Sequence, residues 1–145
     1  MACIYLIQPK EYIGTGTCKV GMSRKNDLQR VKSYGIGTRY LCIMECEDPF
    51  VLEKQIIKEF NEKYCKTSGN EYFCHCGNED KMIGLFINIV LEHKKKIIRV
   101  LVDIAVEKRL KELKELKDYL TDSDSEEVGG SDVRSFFKKN INYDY

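Results

Sequence analysis

Long apolar runs are missing from this chain of 145 residues, proline occurs only twice and no internal repeat is visible. The most apolar stretch, Met82 to Leu91, stops at Glu92 and a Lys94 to Lys96 cluster. That is half of what a membrane-spanning helix needs, so the stretch reads as a core helix and no membrane partner is expected. The amino terminus lacks a basic segment followed by a long apolar one, which excludes the pattern of a secretory leader. Seven cysteines are an odd number without a regular framework, so a disulfide scaffold is not expected. The thiols are expected to be reduced, in a cytoplasmic or nuclear setting. The length suits one ordinary domain with an appendage and is too short for two full-sized domains. Apolar residues make up 43% and charged residues 32%, the balance of a soluble globular chain in which disorder is local.

Charge of either sign is plentiful, and its distribution says more than its sum. The formal net charge is +1. Residues 94 to 117 carry nine Lys or Arg against four Asp or Glu, whereas residues 118 to 132 carry six acids and no base. A basic helix therefore runs into an acidic tail. Such segregation suits a phosphate-bearing partner that the tail can screen or mimic, and it equally suits a solvated surface.

Cys3 to Gln8 and Cys18 to Met22 read as two strands of a long-looped hairpin. Asn26 or Asp27 can cap a short helix with Leu28, Val31 and Tyr34 at helical spacing, stopped by Gly35. Arg39 to Glu47 reads as a third strand. Asp48 followed by Pro49 is a helix start, and Leu52, Ile56, Phe60 and Tyr64 give that helix one apolar stripe. A turn from Ser68 to Gly77 leads to a helix from about Glu79 to His93, and Ile97 to Leu120 reads as a second helical segment. The fold class expected is α/β, with a small central mixed or antiparallel sheet flanked by helices and a helical C-terminal extension. The divisions expected are a compact domain at residues 1–95, a basic helical extension at 96–120 and an acidic tail at 121–145 that is expected to be disordered.

Some residues suggest chemistry without reference to any family. Glu53 borders the apolar stripe of its helix, where a carboxylate needs a metal, an arginine or water as partner. Arg30 lies one helical turn before Tyr34 and can stack on it while facing a phosphate. Arg24, Lys25, Tyr34, Tyr40 and the Lys94, Lys95 and Lys96 cluster would complete a surface that reads nucleic-acid backbone. Cys74-His75-Cys76, with Cys65 nearby, matches no standard zinc module and reads as buried thiols. His93 reads as surface and Asn88 as a candidate buried polar residue.

Five short segments narrow the fold: Cys3-Ile4-Tyr5, Lys19-Val20-Gly21, Asp27-Leu28-Gln29-Arg30, Leu52-Glu53 and Gly69-Asn70-Glu71-Tyr72-Phe73. In this order they resemble the GIY-YIG nuclease superfamily over residues 2 to 93, and most closely its DNA-binding branch from phages and large DNA viruses. The resemblance implies DNA binding and divalent-metal-dependent endonuclease chemistry. By position it carries catalytic roles to Tyr5, Arg30 and Glu53, with Glu53 holding Mg²⁺ or Mn²⁺. Lys19 stands where nucleases of the family have their second tyrosine, and it can supply positive charge there. It could act as a base only if its pKa fell strongly. A literal Tyr12-Ile13-Gly14 falls too close to Tyr5 and reads as a decoy. Asn70 and Asn88 both compete for the family's late asparagine, and Glu71 has no assigned role.

The function expected is DNA binding with metal-dependent cleavage. The alternatives are a catalytically inactive DNA-binding module and an adaptor acting through the carboxy-terminal helix and tail. Val133, Phe136 and Phe137 resemble a sliding-clamp binding peptide in which Gly130 replaces the usual glutamine.

Overall fold

Strand β1 (Ala2–Gln8) alternates its side chains between two apolar clusters, and that alternation organises the fold. Ile4 and Leu6 enter one cluster, whereas Cys3, Tyr5 and Ile7 enter the other. A strand buried on both faces belongs in the middle of a sheet. The computed structural model describes residues 2–25 and 28–122. It places β1 between β2 (Thr17–Ser23) and β3 (Arg39–Cys46), followed outward from β2 by β5 (Tyr72–Cys74) and β4 (Cys65–Ser68). All pairings are antiparallel, in the order β3-β1-β2-β5-β4.

Helix α2 (Pro49–Lys63) starts as its sequence requires: the Asp48 side chain accepts from the Val51 amide at 3.2 Å and Pro49 occupies the first turn. Its Leu52, Ile56 and Phe60 are fully buried against Ile4, Leu6, Cys18, Val20 and Phe73. Helix α3 (Glu79–Asp122) adds Met82, Phe86, Ile89 and Val90 to the same cluster. The smaller cluster on the opposite face joins Cys3, Tyr5 and Ile7 to Val31 of α1 (Gln29–Lys32), with Leu28 and Tyr34 packed on it. The fold is thus α/β, with an antiparallel sheet and helices against it. Two compact units divide the chain, residues 1–100 and 101–145, and in the second the described residues are helical.

Two expectations about elements change. The stretch read as a turn from Ser68 to Gly77 contains β5, which pairs with β2 and β4 and makes the sheet five-stranded. The helices read as separate at Glu79 to His93 and Ile97 to Leu120 are one, because a run of lysines is compatible with helix and nothing between them breaks it. The proposed caps Asn26 and Asp27, the tail from residue 123 onward and the clamp-like Val133, Phe136 and Phe137 lie outside the described residues. No described helix is long and apolar enough to cross a membrane.

Candidate active site

The strand register puts Tyr5 opposite Gly21 and Ile7 opposite Lys19, so Tyr5 and Lys19 share the sheet face that α1 covers. The glycine is required at that position. A Cβ on Gly21 would lie 2.5 Å from Tyr5 Cε2 and 2.6 Å from its hydroxyl oxygen, so the tyrosine ring occupies the space that any side chain would fill. From there the Tyr5 hydroxyl meets that of Tyr34 at 3.4 Å, with the two rings edge to face.

Lys19 is enclosed. Its Nζ lies 3.1 Å from Glu71 Oε2, 5.1 Å from the Tyr34 ring centroid and 4.9 Å from that of Tyr72, which pairs with Lys19 across β2 and β5. Its side chain is 13% exposed, so the ammonium has exchanged water for one carboxylate and two aromatic faces. Burial alone would lower its pKa, but hydrogen bonding to Tyr34 and Glu71 reverses this and holds it above the usual lysine value. Lys19 is therefore a fixed positive charge and not a base.

Arg30 is exposed on α1, and its positive charge is stabilised first by the Tyr5 oxygen and further by Tyr34 and Glu53. The stacking partner expected for Arg30 was Tyr34, yet the cation recorded over that ring is Lys19. Tyr5 is pushed well above the ordinary tyrosine range by burial and by Tyr34, with Arg30 opposing. It remains a phenol that can donate a hydrogen bond and holds its proton too firmly to act as a base.

Glu53 is half-buried on α2, as its place beside the apolar stripe requires. Its carboxyl is raised by burial and by the charge of Glu71, while Arg30 and Lys19 pull it down. Tyr5, Lys19, Arg30, Tyr34 and Glu53 thus come from β1, β2, α1, the segment after α1 and α2 into one electrostatically coupled cluster, together with Glu71 and Tyr72. Sequence reasoning missed Tyr72 and left Glu71 without a role. The signal was there in Glu71-Tyr72-Phe73, where Phe73 goes to the core and the two residues before it go to the lysine.

Among the described residues no group of three or more His, Cys, Asp or Glu side chains could by itself hold a metal ion. Mg²⁺ does not need such a cage, since it keeps several waters and is bound by one or two carboxylates plus substrate phosphate. Glu53 suits that mode: it is a carboxylate that burial and Glu71 leave short of compensating charge.

The remaining candidates stand apart. Arg24 and Lys25 are exposed just after β2, in a turn tied by the Ser23 hydroxyl to the Lys25 carbonyl at 3.0 Å. Lys94 acts on the Cys46 thiol, Lys95 pairs with Glu92 at 2.7 Å, and Lys96 is exposed. Tyr12 lies in a short 3-10 turn (Lys10–Tyr12) and its ring meets that of Tyr72 at 5.3 Å, one ring removed from Lys19. Asn70 is exposed and accepts from Lys66 at 3.2 Å. Asn88, read as a buried polar residue, is exposed, and His93, read as surface, is half-buried with its Nε2 enclosed.

The thiols of the Cys74-His75-Cys76 segment are not buried as expected. Cys65 and Cys76 are exposed and Cys74 is half-exposed, because they line the short outer strands of the sheet and the turn after them. Cys74 and Cys76 Sγ are 3.6 Å apart, while His75 accepts from the Gly77 amide and faces Glu79 at 3.7 Å. No protein-family model matches the chain, and neither a curated protein nor a solved structure matches it.

Proposed function

We propose that this chain is a DNA-binding protein with a GIY-YIG-like domain, and that a backbone phosphate docks at the cluster of Tyr5, Lys19, Arg30 and Glu53 for metal-dependent cleavage. The observation that carries the reading is convergence. Residues selected by motif order, as far apart as positions 5 and 53, meet in one electrostatically coupled group.

Each residue has a task that its surroundings support. Arg30, exposed and always charged, clamps the phosphate and stabilises charge that develops on it. Lys19 supplies a second, fixed positive charge. Tyr5, fully buried, is a positioning residue: its hydroxyl contacts Tyr34 and acts on the Arg30 guanidinium. Glu53, with Glu71 nearby, would hold Mg²⁺ or Mn²⁺, and the bound ion would supply Lewis-acid stabilisation and a more acidic water.

A second reading, DNA binding without cutting, is favoured by one observation: Lys19 and Tyr5 are both held in their protonated forms, so neither can accept the water's proton. The two readings separate by experiment. Supercoiled and branched DNA is incubated with the protein and Mg²⁺ or Mn²⁺, alongside Glu53→Ala and Arg30→Ala. The nuclease reading expects metal-dependent nicking that both variants lose by at least about a hundredfold while binding persists. Binding without nicking by the parent establishes the inactive module. Equal nicking by Glu53→Ala removes the catalytic assignment.

A further inference from the structure

Within the second unit, α3 carries an apolar stripe that the chain's described residues do not cover. Val102, Val106, Leu110 and Leu113 are each at least half exposed. At about 100° per residue they fall on one face, whereas Lys108 and Lys111 fall on the other. Most of a helix's stability in a protein comes from packing of its apolar face, so this stripe calls for a partner.

The charges bordering the stripe identify the partner. Asp103 and Lys117 lie in the same row as Leu110, seven residues before and seven after it. Among the described residues neither side chain has an ion-pair partner; the pair formed in this part of the helix is Arg109 with Glu112. Lay a second copy of the helix antiparallel to the first with its Leu110 against Leu110. Asp103 of each copy then meets Lys117 of the other, twice by symmetry. The parallel arrangement would set Asp103 against Asp103 and Lys117 against Lys117. The row is self-complementary in only one direction.

We propose that two copies of this chain associate through residues 101–122 of α3 as an antiparallel helix pair centred on Leu110. Lys108 and Lys111, on the opposite face, stay exposed in the pair. The proposal is independent of whether the protein cuts DNA.

Light scattering after gel filtration, on the full chain without DNA and up to about 100 µM, is expected to give twice the mass of one chain. Asp103→Lys and Lys117→Asp should each raise the dimer dissociation constant about tenfold or more, because each change creates two like-charge contacts. The double variant should return it to within about threefold of the parent. Leu110→Glu should abolish the dimer, with circular dichroism used to confirm that the first unit stays folded. A parent that is monomeric throughout, as it would be if residues 123–145 of the same chain occupied the stripe, overturns the proposal. So does a double variant that dimerises no better than the singles.

Discussion

At the scale of single residues the site rests on Gly21. Because a Cβ there would overlap the Tyr5 ring, Gly21→Ala must displace a fully buried tyrosine from between β2 and α1. Overpacking of this kind costs about 1–3 kcal/mol, so the expected outcome is a loss near 2 kcal/mol by urea denaturation. Nicking should fall with it as the Tyr5 hydroxyl leaves Tyr34. A loss under about 0.5 kcal/mol would mean that the ring moves without resistance. Glu53 gives a test of opposite sign. Its carboxyl titrates above the usual value in the fold, so its proton binds more tightly in the folded protein than in the unfolded one. Stability from that proton is present below the ordinary carboxylate range and is lost as pH rises through the raised value. Glu53→Gln keeps the shape and removes the charge, so it should melt higher than the parent near neutral pH, and the gain should shrink below about pH 4. A variant less stable than the parent at neutral pH would show that Arg30 and Lys19 more than compensate the carboxylate. A residue that weakens the fold while ionised is what a ligand or metal site predicts, since functional groups are kept at a cost in stability.

At the scale of elements, legibility followed the strength of local signals. The start of α2 was written in Asp48-Pro49, and Asp48→Ala is expected to lower stability by about 1 kcal/mol through loss of the bond to the Val51 amide. A melting temperature unchanged by the substitution would show that Pro49 alone fixes the helix start. The central strands were legible because β1 is apolar from Ala2 to Ile7, and α2 because Leu52, Ile56 and Phe60 recur at four. The β4–β5 hairpin was not. Cys65-Lys66-Thr67-Ser68 is exposed at every position and β5 is only three residues long, so neither shows the period-two alternation that identifies a strand. Their pairing is imposed by tertiary contact, with Phe73 anchored against Phe60 at 5.5 Å between ring centroids. This is also why the site was only partly legible. Tyr5, Lys19, Arg30 and Glu53 sit on elements that the sequence announces, whereas Glu71 and Tyr72 arrive on a strand that it does not. The continuous α3 was missed for a different reason: Lys94 to Lys96 marks a change of exposure from core to solvent, and a change of exposure is not an end of helix.

At the scale of the whole molecule, a net charge of +1 predicts no attraction to DNA, and only the segregation of charge does. If phosphate contacts dominate, the logarithm of affinity falls linearly with the logarithm of salt concentration, with a slope of roughly −0.9 per phosphate neutralised. Contacts by Arg24, Lys25 and Arg30, added to those of the basic stretch in α3, should give a loss of tenfold or more over a few-fold rise in salt. The two regions are separable. Arg30→Ala should reduce the slope by about one contact and, being at the proposed phosphate site, should also abolish cutting. Replacing Lys94, Lys95 and Lys96 together by Ala should flatten the slope by up to about three contacts without touching the cutting step. The reduction is expected nearer two than three, because Lys95 already pairs with Glu92 at 2.7 Å and would exchange one anion for another. Fluorescence anisotropy of a labelled duplex over a salt series reads both numbers. A triple variant with the parent's slope would remove Lys94 to Lys96 from the DNA contact, and an affinity indifferent to salt would remove phosphate recognition and leave α3 as a surface for protein alone.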